Sequence, residues 1–362
     1  IGNPKDPRAA PRLELSLAGR DERDDDFGST YTPKVGIRWA PLASVKLRAN
    51  WGTAFKAPNL LDLNTRKASG VVSLADPRSP TGRADVLVIQ GGNPQLQEER
   101  ATTWTAGIDL APPALPGFRL SLTGYAIDYE DQVIVPGQPN PFDILLHEDE
   151  WASVITRNPS QAQIDAVCGS MPFFGDPAQC ATARPTVLLD ARMNNLAVTT
   201  VRGLDLTLDQ SLHTAVGWFN VELNGAYVFD FKRAITQTAP LVNIVDTVNN
   251  PLALRPRGTV GWQQGGPQQP GFAVNLTANY TGGYQDHESP VRHSVADWTT
   301  FDLGLSYRTG KRGDWMDDTE LVLNAVNVLN TDPPFVDRVW GYDLINTQPL
   351  GRVLSAYVSK RW

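Results

Sequence analysis

Apolar and polar side chains alternate with a period of two along most of the chain. From Gly271 to Tyr280, Phe272, Val274, Leu276, Ala278 and Tyr280 fall on one side, and Ala273, Asn275, Thr277 and Asn279 on the other. Phe301, Leu303, Leu305 and Tyr307 oppose Asp302, Gly304, Ser306 and Arg308. Leu204, Leu206 and Leu208 oppose Asp205, Thr207 and Asp209, and Val45, Leu47, Ala49 and Trp51 oppose Lys46, Arg48 and Asn50. Successive side chains of a strand point to opposite faces, so this period predicts strands with one apolar face. About twelve such strands follow from the pattern, near 11–20, 34–39, 43–52, 100–110, 117–129, 197–211, 216–231, 254–264, 271–282, 297–308, 319–328 and 351–361. Most have the length of about 9–11 residues or more that a tilted membrane strand needs, against a mode near 5–6 in globular sheets.

The connections alternate too. Short ones follow the even-numbered strands, around Pro41-Leu42, Pro112 to Pro116, Leu212 to Ala215, Gly265 to Pro270 and Thr309 to Asp318. Long ones follow the odd-numbered strands, the longest being 53–99 and 130–196. Long loops without regular structure are uncommon in compact soluble domains, whereas bacterial barrels combine short periplasmic turns with long external loops. In that orientation the last strand runs inward and leaves Trp362 at the periplasmic end. Backbone polar groups in lipid must all be paired internally, which requires a closed sheet. The expected fold is therefore all-β: an antiparallel transmembrane β-barrel, apolar face to lipid, polar face to a wet lumen or a plug. A soluble all-β protein with one face in its core is the alternative. It predicts shorter strands and no loop order.

Composition narrows the function. The 362 residues contain no run approaching the roughly 18 apolar residues of a membrane helix, which leaves a barrel open. A formal charge of −7 gives no support to a nucleic-acid partner. Ile1-Gly2-Asn3-Pro4 has no signal-peptide character, so the chain reads as mature, truncated or both. Cys168 and Cys180 lie together in the long segment 130–196, predicted external and oxidising, and are expected to form a disulfide. Ser160 to Val167 just before them reads as a short helix with Ser160 as N-cap.

Three motifs carry a family resemblance. Arg48-Ala49-Asn50-Trp51-Gly52-Thr53-Ala54-Phe55-Lys56-Ala57-Pro58-Asn59-Leu60 resembles the W-G-x-x-F-R-A-P-x-L strand end of TonB-dependent outer-membrane receptors, with Lys56 for Arg. Gly92-Asn93-Pro94-Gln95-Leu96-Gln97-Glu98-Glu99 resembles their G-N-P-x-L-x-P-E element, with Glu98 for Pro. The segment Gly351 to Trp362 resembles their final strand, with Trp362 for the usual Phe and Lys360 where an apolar residue is common. Weaker matches, Val201-Arg202-Gly203-Leu204-Asp205 and Leu323-Asn324-Ala325-Val326-Asn327 among them, extend the likeness over nearly the whole chain in the family's order.

The resemblance implies the C-terminal part, about twelve strands, of a 22-strand receptor barrel spanning 1–362, with the N-terminal plug and early strands upstream of it. It implies residence in the bacterial outer membrane and contact with its lipid. It implies uptake of a scarce bulky small-molecule ligand (a ferric siderophore, a glycan or a cobalamin). Energy would come from the TonB–ExbB–ExbD system through the missing N-terminal part. Trp362 would serve as the C-terminal signal read by the barrel-assembly machinery. A passive porin-like channel is the alternative. No nucleic-acid partner, cofactor or resident metal is implied.

Candidate ligand contacts are few. The acidic run Asp21-Glu22-Arg23-Asp24-Asp25-Asp26 falls in the predicted first external loop, and His287 and His293 share a later one. Asp24, Asp25, Asp26, His287 and His293 are weak candidates for substrate binding, since charged loop side chains are usually solvated. Nucleophile elbows, phosphate loops and H-E-x-x-H are lacking, so an enzyme is not expected. Trp39, Trp51, Trp104, Tyr125, Trp218, Tyr280, Trp298 and Trp362 read as interfacial anchors near strand ends.

Overall fold

The computed structural model describes residues 12–24, 28–137, 141–266, 269–287, 293–311, 315–337 and 340–360. Twelve strands, nine of them 11 residues or longer, follow one another in a single antiparallel meander: β1 (Leu13–Asp24), β2 (Gly28–Leu42), β3 (Val45–Lys56), β4 (Glu99–Leu110), β5 (Phe118–Ile134), β6 (Asn194–Thr214), β7 (Gly217–Ala234), β8 (Arg257–Gln263), β9 (Gly271–Thr281), β10 (Trp298–Arg308), β11 (Thr319–Val326) and β12 (Val353–Lys360). Each pairs with its sequence neighbour, and a two-residue strand, Val242–Asn243, adds to β7. Among the described residues, no helix is long and apolar enough to cross a membrane.

Register keeps one chemistry on each face. Leu15, Ile37, Ala49, Ala106, Gly124, Leu204 and Tyr227 are successive cross-strand partners from β1 to β7. One residue along, Glu14, Arg38, Arg48, Gly107, Thr123, Asp205 and Ala226 form the opposing row. From β7 to β12 the apolar row is Val221, Val260, Leu276, Leu303, Ala325 and Leu354; its polar neighbour is Asn220, Gly261, Asn275, Gly304, Asn324 and Ser355. A one-residue slip anywhere would exchange the faces. The apolar side is not a core: Leu17 is 80% exposed and Leu354 72%. An apolar surface running over twelve strands has the character of the lipid-facing side of a transmembrane barrel.

Aromatic pairs mark two levels on that face. Phe272 and Tyr307 pair at 4.5 Å, their rings tilted by 38°, near one end. Trp51 and Trp104 pair at 5.9 Å, and Tyr227 and Phe229 at 5.1 Å, towards the other. Phe272 and Tyr280 bracket β9, and at about 3.4 Å per residue they stand roughly 27 Å apart along it. With a strand tilt near 40° this corresponds to a height of roughly 21 Å, which fits within the ~25 Å apolar band of an outer-membrane barrel. Trp218 and Trp298 fall in the polar rows by register, and Tyr125 likewise departs from the anchor reading. Its Cα partners Thr105 and Gly203 lie in the polar row, and its ring occupies the space over Gly203 where a Cβ would stand 2.3 Å from the phenol oxygen.

Two further expectations are corrected. The first external connection is not a long loop: β1 runs on to Asp24 and β2 begins at Gly28, paired with it. The extension is held by register with β2, Arg20 to Asp24 pairing with Thr32 to Gly28, while Arg23 lies 3.6 Å from Asp21 and Arg20 bonds Glu22 along the exposed strand. The segments 57–98 and 135–193 also do not lack regular structure. They fold together.

Candidate functional site

The two longest connections, β3–β4 and β5–β6, build one body beyond the strand ends. Its four-stranded sheet has the order Ala68–Ala75, Arg83–Gln90, Val187–Asp190, Ile155–Arg157. The pairing of Val86–Ile89 with Val187–Asp190 is parallel and joins the two connections directly. Arg83–Gln90 is apolar on both faces. Val86 and Val88 pack with Leu74, Ile144, Leu145, Trp151 and Leu189, while Leu87 and Ile89 pack with Ile164, Val167 and Cys180. The run Val86-Leu87-Val88-Ile89 was the available sequence signal, since a strand buried on both sides reads as a continuous apolar run.

Local chemistry fixes this body. Ser160 caps the helix Gln161–Ser170 in a capping box with Gln163. Cys168 on that helix is joined by a disulfide to Cys180 on the helix Pro177–Thr182, their Cα atoms 5.7 Å apart. Arg157 bonds both Asp76 and Glu148, and Arg78 reaches Glu148 at 3.0 Å. The Arg157 hydrogen bonds hold the buried Asp76 carboxyl below the usual carboxylate range, outweighing burial, and the same two carboxylates push the Arg157 guanidinium up.

The motif residues seat this body on the strands. Asn59 caps the turn of helix Leu60–Asn64 as the chain leaves β3. Lys56 pairs with the buried Glu99 at 2.8 Å, and Tyr129 also donates to Glu99, so β3, β4 and β5 meet there. Buried Asn93 donates to the Met193 carbonyl at 3.1 Å and accepts from the Gln95 amide. Gly92 is required beside it: a Cβ would lie 2.6 Å from the Thr65 nitrogen. Asn195 at the start of β6 completes the clamp by donating to the carbonyls of Gln97 and Asp131.

A second body gathers the later connections. Val248, Leu252, Tyr284, Val295 and Val336 form its core. The hairpin Tyr284–Asp286/His293–Val295 carries His287 and His293, both exposed. Asp343 accepts from the amides of Asn249, Ile345 and Asn346, and from the Asn346 side chain. Burial alone would raise its pKa, but these donors outweigh burial and hold it below the usual range.

Inside the sheet the polar face forms a wall. Arg48 on β3 donates to Ser121 at 2.8 Å and Thr123 at 2.6 Å on β5, and lies 3.3 Å from Asp109 on β4. Asn279 donates to Asp302 at 2.8 Å, and Arg308 pairs with Glu320 at 3.0 Å. A concavity of about 530 Å³ lies among Ser16, Lys34, Gly36, Asn50, Gly52 and Thr105.

The predicted contacts are not brought together. Asp24 ends β1, while His287 and His293 sit between β9 and β10, distant in the strand order. Asp25, Asp26 and Trp362 lie outside the described residues. Among the described residues, no group of three or more His, Cys, Asp and Glu side chains is arranged to hold a metal. Lys360 at the end of β12 lies in the apolar row, and its ammonium donates to the Trp315 carbonyl in the β10–β11 turn.

Residues 8–330 match the family model for the TonB dependent receptor-like β-barrel. No curated protein sequence matches the chain. Among solved structures, it is similar to an enterobactin-bound mutant of the ferric enterobactin receptor PfeA from Pseudomonas aeruginosa, with a TM-score of 0.62 and 17% identity over 96% of this chain and 43% of that one. The siderophore receptor PirA from Acinetobacter baumannii gives 0.60 and 15%, covering 96% and 43%. The FrpB iron transporter from Neisseria meningitidis gives 0.54 and 12%, also covering 96% and 43%. At these identities the likeness is one of fold, and the chain spans less than half the length of each.

Proposed function

The chain belongs to the TonB-dependent receptor β-barrel family, and from that premise we propose that it forms the wall and ligand-facing loops of an outer-membrane receptor for a ferric siderophore. In the intact protein, uptake would draw energy through TonB by way of a plug and early strands upstream of these residues. The observation that carries this reading is the folded body of 57–98 and 135–193. A passive channel has no need of two loops joined by a parallel sheet, a buried ion cluster and a disulfide, whereas a receptor gains affinity from a preorganised surface. Of the ligand classes considered, the iron chelate is preferred because the structural neighbours named above are described as siderophore or iron receptors. Glycan and cobalamin remain outcomes of the test. Small-molecule ligand, outer-membrane lipid, TonB–ExbB–ExbD and the barrel-assembly machinery are the proposed partners.

The test is uptake of iron-loaded siderophores by cells expressing the full-length receptor under iron limitation. Energy-dependent uptake, lost when TonB is removed and when 135–193 is replaced by a short linker, is expected. Flux indifferent to TonB would point to a passive channel. TonB-dependent growth on a glycan or cobalamin, with no iron uptake, would move the substrate class.

A further inference from the structure

The β7–β8 connection, residues 235–256, touches both external bodies, and with different halves. Its first residues belong to the first body. Ile235 packs against the core of Val86, Trp151 and Leu189. Thr236 is buried, and its hydroxyl donates to the Glu150 carbonyl at 2.5 Å. Gln237 donates to the Asp131 carboxylate at 3.0 Å. The remainder belongs to the second body. Val248 and Leu252 lie in its core, Val248 donates to the Gln285 carbonyl, and Gln285 donates to the Asp246 carbonyl. The tight turn there places Asp246 and Asn249 at φ 55° and 60°, a conformation Asp and Asn tolerate. It is clipped from outside: the Asn249 amide donates to Asp343 at 2.9 Å, and the Asn346 side chain donates to the Asn250 carbonyl at 3.0 Å. Between the two ends the chain returns to β7, where Val242–Asn243 pairs with Lys232 and Arg233.

We propose that residues 235–256 are a strap coupling the two loop bodies, so that displacing one loosens or shifts the other. Thr236 is the anchor in the first body and the Asp343/Asn346 clip is the anchor in the second. The first end is held through the buried Thr236 and the second through the buried Asp343 and Asn346, and both ends share one short covalent segment pinned on β7. Segments held this way open as cooperative units. The strap is independent of which solute the receptor takes up. It gives two bodies built from different parts of the chain one mechanical response.

The test is amide hydrogen exchange on the intact receptor in detergent, comparing wild type with Asn346→Ala, Asp343→Ala and Thr236→Val. Asn346→Ala removes only one link and tests the strap if Asp343→Ala fails to give a heat-modifiable barrel. Cutting the clip is expected to speed exchange in 246–250 by about tenfold, and by at least about threefold in 148–157 of the other body. In the Thr236→Val background, cutting the clip is expected to leave 148–157 unchanged. Faster exchange confined to 246–250, 284–286 and 343–346 in the single clip variants would overturn the coupling, as would an unchanged effect on 148–157 after Thr236 is replaced.

Discussion

Arg157 and Asp76, eighty-one positions apart in the chain, meet across the two longest loops, with Nη2 3.0 Å from Oδ1 and a second bond from Nη1 to Oδ2. Asp76 is 2% exposed, so its charge depends on this partner. Arg157→Ala leaves a buried carboxylate without its main donor, and the loop body is expected to lose about 2–4 kcal/mol of stability. Hydrogen exchange of Arg83–Gln90 in the intact receptor reads that loss directly. Protection unchanged in the variant would show the pair to be ornamental.

Acid should act on the same pair. Asp76 has its folded pKa depressed, chiefly by the Arg157 hydrogen bond. A depressed carboxylate contributes stability above its unfolded pKa, near 3.9, and that contribution is lost as pH falls through the folded value. Protection factors in the first body are therefore expected to hold down to about pH 4 and to fall below it. Asp76→Asn, which cannot titrate, should start lower and lose that component of the acid sensitivity. An acid response identical in Asp76→Asn would place the titrating group elsewhere.

The disulfide closes a short loop between two helices packed on Leu87 and Ile89. The chain-entropy model gives it about 3 kcal/mol, acting through the unfolded loop. Cys168→Ser with Cys180→Ser is expected to make 160–182 protease-sensitive while the strands stay protected. Equal cleavage of the double variant and wild type would mean that packing of Ile164 and Val167 alone holds the helices.

Leu276 and Asn275 sit at the same depth in β9 and face opposite ways. Leu276 is 47% exposed on the apolar face. Leu276→Arg places a charge in lipid and is expected to cost about 2–4 kcal/mol when the full-length barrel refolds into vesicles. Asn275→Arg points into the lumen beside Gly261 and Gly304 and should cost well under half as much. Equal costs would contradict the assignment of faces.

The strands were legible because a barrel wall obeys a local rule: each strand must alternate, whatever its partner. All twelve therefore stood out, and so did Ser160 as a cap, which depends on residues three apart. Boundaries were less visible. The extension of β1 to Asp24 rests on pairing with Gly28 to Thr32 of β2, whereas the charge run alone reads as loop. The loop bodies were hidden for a different reason. Val86 meets Val187, and Arg157 meets Asp76, only after distant segments are brought together. Tyr125 illustrates the limit within a strand: an aromatic in mid-strand suits lipid or lumen, and Gly203 across the ladder decides. The histidines and the acidic run were singled out by residue type, and the fold keeps them in separate places.

The central claim is that one face of the meander meets lipid and the other water. Single cysteines along Gly271–Thr281 of the full-length receptor, each labelled with a small fluorophore after refolding into vesicles carrying a lipid-borne quencher, test it most directly. Strong quenching is predicted at Phe272, Val274, Leu276 and Ala278, and weak quenching at Ala273, Asn275 and Thr277. Quenching without a two-residue period, or with the opposite phase, would contradict the barrel as assigned.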